Sequence, residues 1–410
     1  MSITRHDSDM GKEESFKEPY DISFKPGGPF NRLLVLLRLS DPALGLLKRR
    51  IICISLFAWL PLLLLSLFGG TALGGVSVPF LFDIETHARL LLAVPLLVGA
   101  ELLAGRRIRE IIGQFLDRRI IPEESIPRFG AIIDSTNRLK NSVVVECLLI
   151  ILVYVVGHFF WSTMSGMAQT VVKEASTWYA VGSDSGLRLS PAGYWYVLVS
   201  RPIFQFLFIR WYFIIFVWAR FLWKISRLNL CLIPSHPDRA AGLGFLTISI
   251  NVMALLILAH GVILSGSMAY RIFFGGAKFT DFSVELIGGT VLVVLVVLGP
   301  LIAFIPHLLH TKRMAVYGYG TLGSRYVERF DRKWVRGDAS ADTELLGSAD
   351  IQSLADLGNS YEIIRGLRLV PFGKEAVFGI VVIFLLPILP LALTMMPVEE
   401  LIRKLLGAVF

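Results

Sequence analysis

Charged residues are scarce in this chain, and cysteines are almost absent. Asp, Glu, Lys and Arg together make up 18% of its 410 residues, against about 25% in ordinary soluble domains. The three cysteines, Cys53, Cys147 and Cys231, have neither metal-site nor disulfide-framework spacing. Together with the long apolar runs, these shortages exclude a soluble globule, a disordered chain and a disulfide-stapled domain.

Long apolar runs dominate the sequence instead. A bilayer core of ~30 Å requires ~20 mostly apolar helical residues, and seven stretches meet or approach that length. The predicted spans are Ile51–Phe68, Ala88–Ala104, Ser142–Met164, Pro202–Leu222, Leu243–Met268, Glu285–Leu308 and Ala376–Met396. We therefore expect an all-α, polytopic transmembrane helical bundle of about seven spans, with helical extensions in the cytoplasm.

Lys and Arg are distributed unevenly among the segments that join these spans. Alternate sides carry thirty and six of them. Because cytoplasmic loops are enriched in Lys and Arg, this bias predicts a cytoplasmic N-terminus and a periplasmic or external C-terminus. The positive charge also favours contact with anionic membrane lipids. It does not indicate nucleic acid, because no basic patch carries interleaved exposed aromatics.

The chain divides into four predicted regions. They are a cytoplasmic segment with an interfacial helix (1–50), a six-span bundle (51–308) with a cytoplasmic helical hairpin (105–141), a cytoplasmic helical region (309–375), and a seventh span with an external amphipathic tail (376–410). No internal repeat is visible, which weakens an inverted-repeat transporter interpretation.

Polar residues inside the spans are the candidates for chemistry. Each charge costs ~2.5–3.5 kcal/mol on insertion scales, so it needs a partner, a wet cavity or the interface. Counting depth at ~1.5 Å per residue predicts two polar layers. The inner cluster comprises Glu101, Glu146 and Arg220; the outer layer comprises Arg210, His158 and His260, with Asn251 between them.

For each of these residues, a purely structural role is the alternative to a functional one. The inner three lie close enough to the interface to snorkel or to form an ion pair, and the two histidines fit neutral, hydrogen-bonded interior positions. Arg210 lies ~12–13 Å from the predicted outer boundary and cannot easily reach water. We therefore consider Arg210, with Arg201, as contacts for an anion.

The loop Pro234–Gly244 also carries chemistry-bearing side chains, His236, Asp238 and Arg239. Asp238 precedes the fifth span and is expected to cap its free N–H groups. The alternatives are a rigid capped turn and a gate or ligand contact at the cytoplasmic mouth.

Other motifs predict no cofactor and no metal. Gly318, Gly320 and Gly323 match a dinucleotide pattern, but a membrane helix precedes them and no βαβ unit surrounds them. His307 and His310 would have to converge with His236 to bind a metal, and they are interpreted as interfacial. No nucleophile–base arrangement supports an enzyme, which is the least favoured class.

Two stretches, His236–Leu246 and Met395–Leu401, resemble uncharacterised bacterial multi-pass membrane proteins. The resemblance implies a bacterial inner membrane and no known activity, and it supplies no site residues. Our best functional hypothesis is a transporter or channel-like protein for an anionic or lipidic solute. The alternative is a non-enzymatic sensor or assembly scaffold, with the hairpin face at Ile112 and Phe115 as its partner surface. Whether the chain forms a homo-oligomer is left open.

Overall fold

The computed structural model describes residues 44–155, 157, 176–183, 186–337 and 348–392. Its helices are α1 (Leu44–Phe68), α2 (Ile84–Asp117), α3 (Ile126–Lys140), α4 (Val143–Val155), α5 (Pro191–Ile225), α6 (Leu243–Phe273), α7 (Ser283–Leu298), α8 (Ile305–Phe330), α9 (Ala349–Arg365), α10 (Lys374–Leu385) and α11 (Leu389–Ala392). The strands β1 (Ala180–Ser183) and β2 (Gly186–Leu189) form an antiparallel hairpin in which Ala180 pairs with Leu189.

Capping residues in the sequence define several helix starts. Asp83 accepts a hydrogen bond from the Thr86 backbone N–H at the start of α2. Ser190 does the same for Gly193 at the start of α5, and Pro191 follows it at the first helical position. A short polar side chain satisfies an N–H that has no partner inside the helix, and proline lacks that N–H.

Five helical runs in the described part of the chain are long and apolar enough to cross a membrane. They are Leu47–Phe68, Ile84–Asp117, Pro191–Ile225, Leu243–Phe273 and Phe279–Val335. Among the described residues, the third predicted span contains only the short helix α4, and the seventh contains the short helices α10 and α11. The all-helical membrane class is therefore supported, whereas the count of seven spans is not confirmed. The predicted helix Asn31–Leu39 and the tail Val398–Phe410 lie outside the described residues.

The bundle has two ends, which we name after Asp83 and Asp238. At the Asp83 end, α2 and α5 both begin, and the Trp178 indole donates to the Asp83 carboxylate over 2.8 Å. At the Asp238 end, α2 and α5 terminate, α6 begins, and the Cys231 N–H donates to the Ile120 carbonyl. The starts of α2 and α5 therefore lie at the same end of the bundle.

The core lies where α2, α5 and α6 pack against one another. Leu97, Trp218 and Ile257 are among its fully or almost fully buried side chains. Two glycines on α6 permit close helix approach: a side chain at Gly266 would overlap Ala88 of α2, and one at Gly261 would overlap the Phe384 carbonyl of α10. Small residues at contact points are typical of membrane helix packing.

An arm formed by α8 and α9 extends beyond the Asp238 end. The helical run from α7 continues through a 3₁₀ segment, Gly299–Phe304, into α8. On the arm, the Asp350 carboxylate accepts from Lys333 and from the Trp334 indole. These bonds hold the pKa of Asp350 below its usual range. Most residues of α8 and α9 are exposed or half-buried.

Candidate functional site

Four charged side chains from four helices meet within the bundle. Arg210 on α5 donates one guanidinium nitrogen to Glu101 on α2 over 2.8 Å and the other to Glu146 on α4 over 3.1 Å. Arg50 on α1 donates to the second oxygen of Glu101 over 3.0 Å. We call these four residues the charge cluster. Its charges alternate in sign along the chain of contacts and sum to zero.

Burial makes this cluster energetically important. The side chains of Arg50, Glu101 and Glu146 are less than a tenth exposed, and that of Arg210 is 12% exposed. A charge in such surroundings is tolerated only when it is paired and hydrogen-bonded. Removing one partner leaves another charge uncompensated, so the four residues form one electrostatic unit.

The grouping differs from the one that the sequence predicts. Glu101 and Glu146 do converge, but their partner is Arg210, which was expected in the outer layer. The reason is helix length: α5 begins at Pro191, eleven residues before the predicted start of the span. Arg210 is therefore about 28 Å along the helix at ~1.5 Å per residue, deep enough to meet Glu101 in the middle of α2.

Arg220 does not join the two carboxylates. It lies ten residues beyond Arg210 on α5 and donates both guanidinium nitrogens to the Ser135 hydroxyl of α3, over 3.4 and 3.3 Å. The predicted inner cluster is corrected accordingly: Arg210 takes the place expected of Arg220.

A small cavity of about 30 Å³ adjoins the charge cluster between α2, α4 and α5. Glu101, Glu146, Arg210 and Lys140 supply its charged lining, and Ser142 a hydroxyl. About 10–15 Å³ accommodates one water, so this cavity has room for a few waters and not for an organic solute. The Arg210 guanidinium therefore lies beside a polar cavity and already binds two carboxylates.

His260 occupies a separate site. Its Nδ1 lies 2.7 Å from the Leu256 carbonyl and its Nε2 lies 2.8 Å from the Tyr212 hydroxyl. A carbonyl only accepts, so Nδ1 carries the proton and Nε2 of the neutral ring accepts from Tyr212. This arrangement is that of a hydrogen-bonded interior histidine, and it lies on a different side of α5 from Arg210.

The remaining predicted residues are dispersed. Asn251 is exposed on α6, and half-buried Arg201 lies nine residues before Arg210 on α5. His158 lies outside the described residues. The structure thus joins Arg210 with Glu101 and Glu146 but does not bring Arg201, His260 or Asn251 into that cluster.

The loop at the Asp238 end is a tightly bonded turn. The Asp238 carboxylate accepts from the backbone N–H groups of Ala240, Gly242 and Gly244, so it caps the start of α6 as expected. Burial raises the pKa of Asp238, but these three N–H donors and nearby His236 outweigh burial and hold the pKa below its usual value.

Hydrogen bonds from Arg368 also hold the backbone of this loop in place. Arg239 has a φ of 52°, which is uncommon for a residue with a side chain. The Arg368 guanidinium donates to the Asp238 carbonyl over 2.7 Å, and its backbone N–H donates to the Arg239 carbonyl. His236, Asp238 and Arg239 therefore build a rigid turn that ties the start of α6 to the segment before α10.

A polar and aromatic cluster at the Asp83 end was not predicted. The Asp83 carboxylate accepts from the Thr86 hydroxyl as well as from Trp178, and the Trp59 indole donates to His87 Nδ1 over 2.9 Å. The Asp83 carboxylate also caps the start of α2. Its contact with Trp178, ninety-five positions later, carries no sequence signal.

Metal binding finds no support in the part of the chain that the structure describes, where no group of three or more His, Cys, Asp or Glu is suitably placed. Comparisons with protein-family models, curated proteins and solved structures find no match for this chain. The resemblance to bacterial multi-pass membrane proteins therefore stays a prediction.

Proposed function

We propose that this chain is a transporter or channel-like protein of the bacterial inner membrane for an anionic solute or an anionic lipid headgroup. The single observation that carries the proposal is the position of Arg210. Its guanidinium lies deep in a helix bundle, beside a cavity, and binds two carboxylates from two other helices. An Arg that holds carboxylates in this way has the geometry to bind a carboxylate or phosphate of a solute.

In this mechanism, a solute anion would replace Glu146 as a partner of Arg210. Glu101 also binds Arg50, so its charge stays compensated when Arg210 exchanges one partner. Glu146 stands on α4, which presents exposed apolar side chains such as Val144 and Leu148 away from the bundle. A shift of α4 would separate Glu146 from Arg210, enlarge the cavity and leave one guanidinium edge for the anion.

Thiol labelling of the cavity tests this mechanism. In a cysteine-free version of the full chain, Ser142→Cys introduces a thiol into the cavity lining, and Val144→Cys on the exposed side of α4 is the matched control. We expect a membrane-impermeant, water-soluble thiol reagent to modify Ser142→Cys. We also expect modification at least several-fold faster when Glu146→Gln is added, because the neutral amide holds Arg210 more weakly.

Competition by anions completes the test. Phosphate or acetate should slow the labelling of Ser142→Cys/Glu146→Gln, and adding Arg210→Gln should remove this protection. Labelling that Glu146→Gln does not accelerate, or that anions do not slow in the presence of Arg210, contradicts the proposal. The Val144→Cys control should respond to neither change.

The charge balance of the cluster favours a second candidate, a sensor or scaffold in which these residues only clamp four helices. Two guanidinium groups and two carboxylates already satisfy one another. Under this alternative, Glu146→Gln lowers the unfolding temperature, Arg210→Gln/Glu146→Gln recovers part of the loss, and labelling stays unchanged. Ile112 and Phe115 are buried, so the partner surface that the sequence suggested on the hairpin would have to lie elsewhere.

A further inference from the structure

Two cationic side chains converge on one neutral hydroxyl near the Asp238 end of the bundle. Besides both guanidinium nitrogens of Arg220, Ser135 Oγ accepts from Lys224 Nζ over 3.0 Å. Arg138, one helical turn beyond Ser135 on α3, is a third cation within electrostatic reach of Lys224. We call these four residues the cationic groove.

Charge in the cationic groove is not compensated by the described residues. No ion pair joins a carboxylate in this part of the chain to Arg220 or Lys224, and the neighbouring Asp134 is exposed and pairs with neither. A hydroxyl oxygen provides two lone pairs and no charge. Two cations on one such oxygen repel each other. The charge cluster, by contrast, is balanced in charge; its Arg210 lies ten residues before Arg220 on α5, about 15 Å away at ~1.5 Å per residue.

Arg220 and Lys224 lie beside an exposed stripe of α5. Phe216 and Trp223 are 57% and 51% exposed, and their spacing of seven residues places them on one side of the helix. Arg220 lies at the i+4 position from Phe216, next to this stripe. Arg227 stacks on the Trp223 ring at 5.1 Å. Exposed tryptophan with adjacent cations at a helix end is typical of the headgroup level of a bilayer.

From this placement we infer that Ser135, Arg138, Arg220 and Lys224 form a binding site for a phosphate monoanion or diester, such as the headgroup of an anionic phospholipid. The phosphate oxygens accept from Arg220 and Lys224 in place of the serine hydroxyl, and that hydroxyl turns to donate to them. The anion neutralises the excess positive charge, and its acyl chains lie along Phe216. This inference does not depend on transport through the charge cluster.

Native mass spectrometry tests the site on the full-length chain. The protein is purified with equal amounts of phosphatidylglycerol and phosphatidylcholine, and retained lipids are counted. We expect preferential retention of phosphatidylglycerol, and a loss of about thirtyfold in that preference in Arg220→Gln/Lys224→Gln, since each of the two cations contributes ~1 kcal/mol near the surface. Arg325→Gln/Arg329→Gln, an exposed pair of equal charge and spacing on α8, is the control and should leave the preference unchanged.

A second variant and a soluble probe complete the experiment. Ser135→Asp supplies an internal anion, so it should keep the protein folded and abolish the phosphatidylglycerol preference. The effect of inorganic phosphate is measured as a change in the unfolding temperature. If phosphate raises the unfolding temperature of the wild type but not of the two groove variants, and no lipid preference is found, the site is assigned to free phosphate. If the groove variants alter neither lipid retention nor the response to phosphate, the inference is wrong.

Discussion

Arg210 shows how one charged side chain can determine the polar contacts of a membrane helix. Its two terminal nitrogens bind Glu101 and Glu146 separately, whereas a lysine would have to reach both carboxylates from a single nitrogen. The planar fork of arginine therefore suits the geometry of the cluster as well as its charge. The same side chain in an apolar span without these partners would be costly.

Asp238 gives a prediction about pH at the residue scale. Its folded-state pKa is lowered, so its stabilising effect is complete above the unfolded-state value of about 4 and is lost as pH falls toward the folded-state value. We expect Asp238→Asn to lower the unfolding temperature at neutral pH by several degrees. The difference from the wild type should shrink as the pH is lowered below about 4.

Thermal unfolding in detergent at a series of pH values measures this difference. Glu124→Gln, at an exposed carboxylate, serves as the control and should stay close to the wild type throughout. A difference between Asp238→Asn and the wild type that is constant across the whole pH range would contradict the role assigned to the carboxylate.

At the scale of elements, the contact between α6 and α10 depends on Gly261. A Cβ at this position would overlap the carbonyl oxygen of Phe384, which is backbone and cannot rotate away. Nearby, the Ser265 hydroxyl donates to the Pro387 carbonyl over 2.7 Å. This approach of backbones makes α10 an integral part of the bundle even though the helix has only 12 residues.

Substitution of Gly261 by valine should therefore force α10 away from α6. We expect the unfolding temperature of Gly261→Val to fall by more than five degrees, with faster hydrogen exchange in α10 and α11, because overpacking against rigid backbone costs ~1–3 kcal/mol or more. Gly288→Val on α7 is a matched control, since no heavy atom lies within 4 Å of a Cβ there. Equal behaviour of the two variants would show that the close approach is unimportant.

At the scale of the whole molecule, the direction of the helices bears on the number of membrane passes. The starts of α2 and α5 share the Asp83 end, since Asp83 binds Trp178 and the Ser190 N–H donates to the Tyr179 carbonyl. Two such helices need a return pass between them, although α4 alone is too short to cross a bilayer. The seven-span topology, with the N-terminus in the cytoplasm, thus remains our prediction beside the five long helices.

Reporter fusions test that topology directly. An alkaline phosphatase inserted after Ser190 or fused after Phe410 should be active outside the cytoplasm, whereas green fluorescent protein after Gly337 should fluoresce inside. If the region around α4 does not cross, the Ser190 insertion will report a cytoplasmic location. A cytoplasmic Phe410 fusion would reverse the assigned side of the C-terminus.

Local chemistry in the sequence was sufficient for the membrane class, the helical content and the cap at Asp238, because hydropathy and capping depend on neighbours along the chain. Even the convergence of Glu101 and Glu146 followed from their depth. Which cation completes their cluster was decided only in three dimensions, since it depends on the true start of α5 and on which helices adjoin. The pairing of Arg220 with Ser135, and of Asp83 with Trp178, likewise arises from packing between distant segments, for which a single sequence contains no periodic signal.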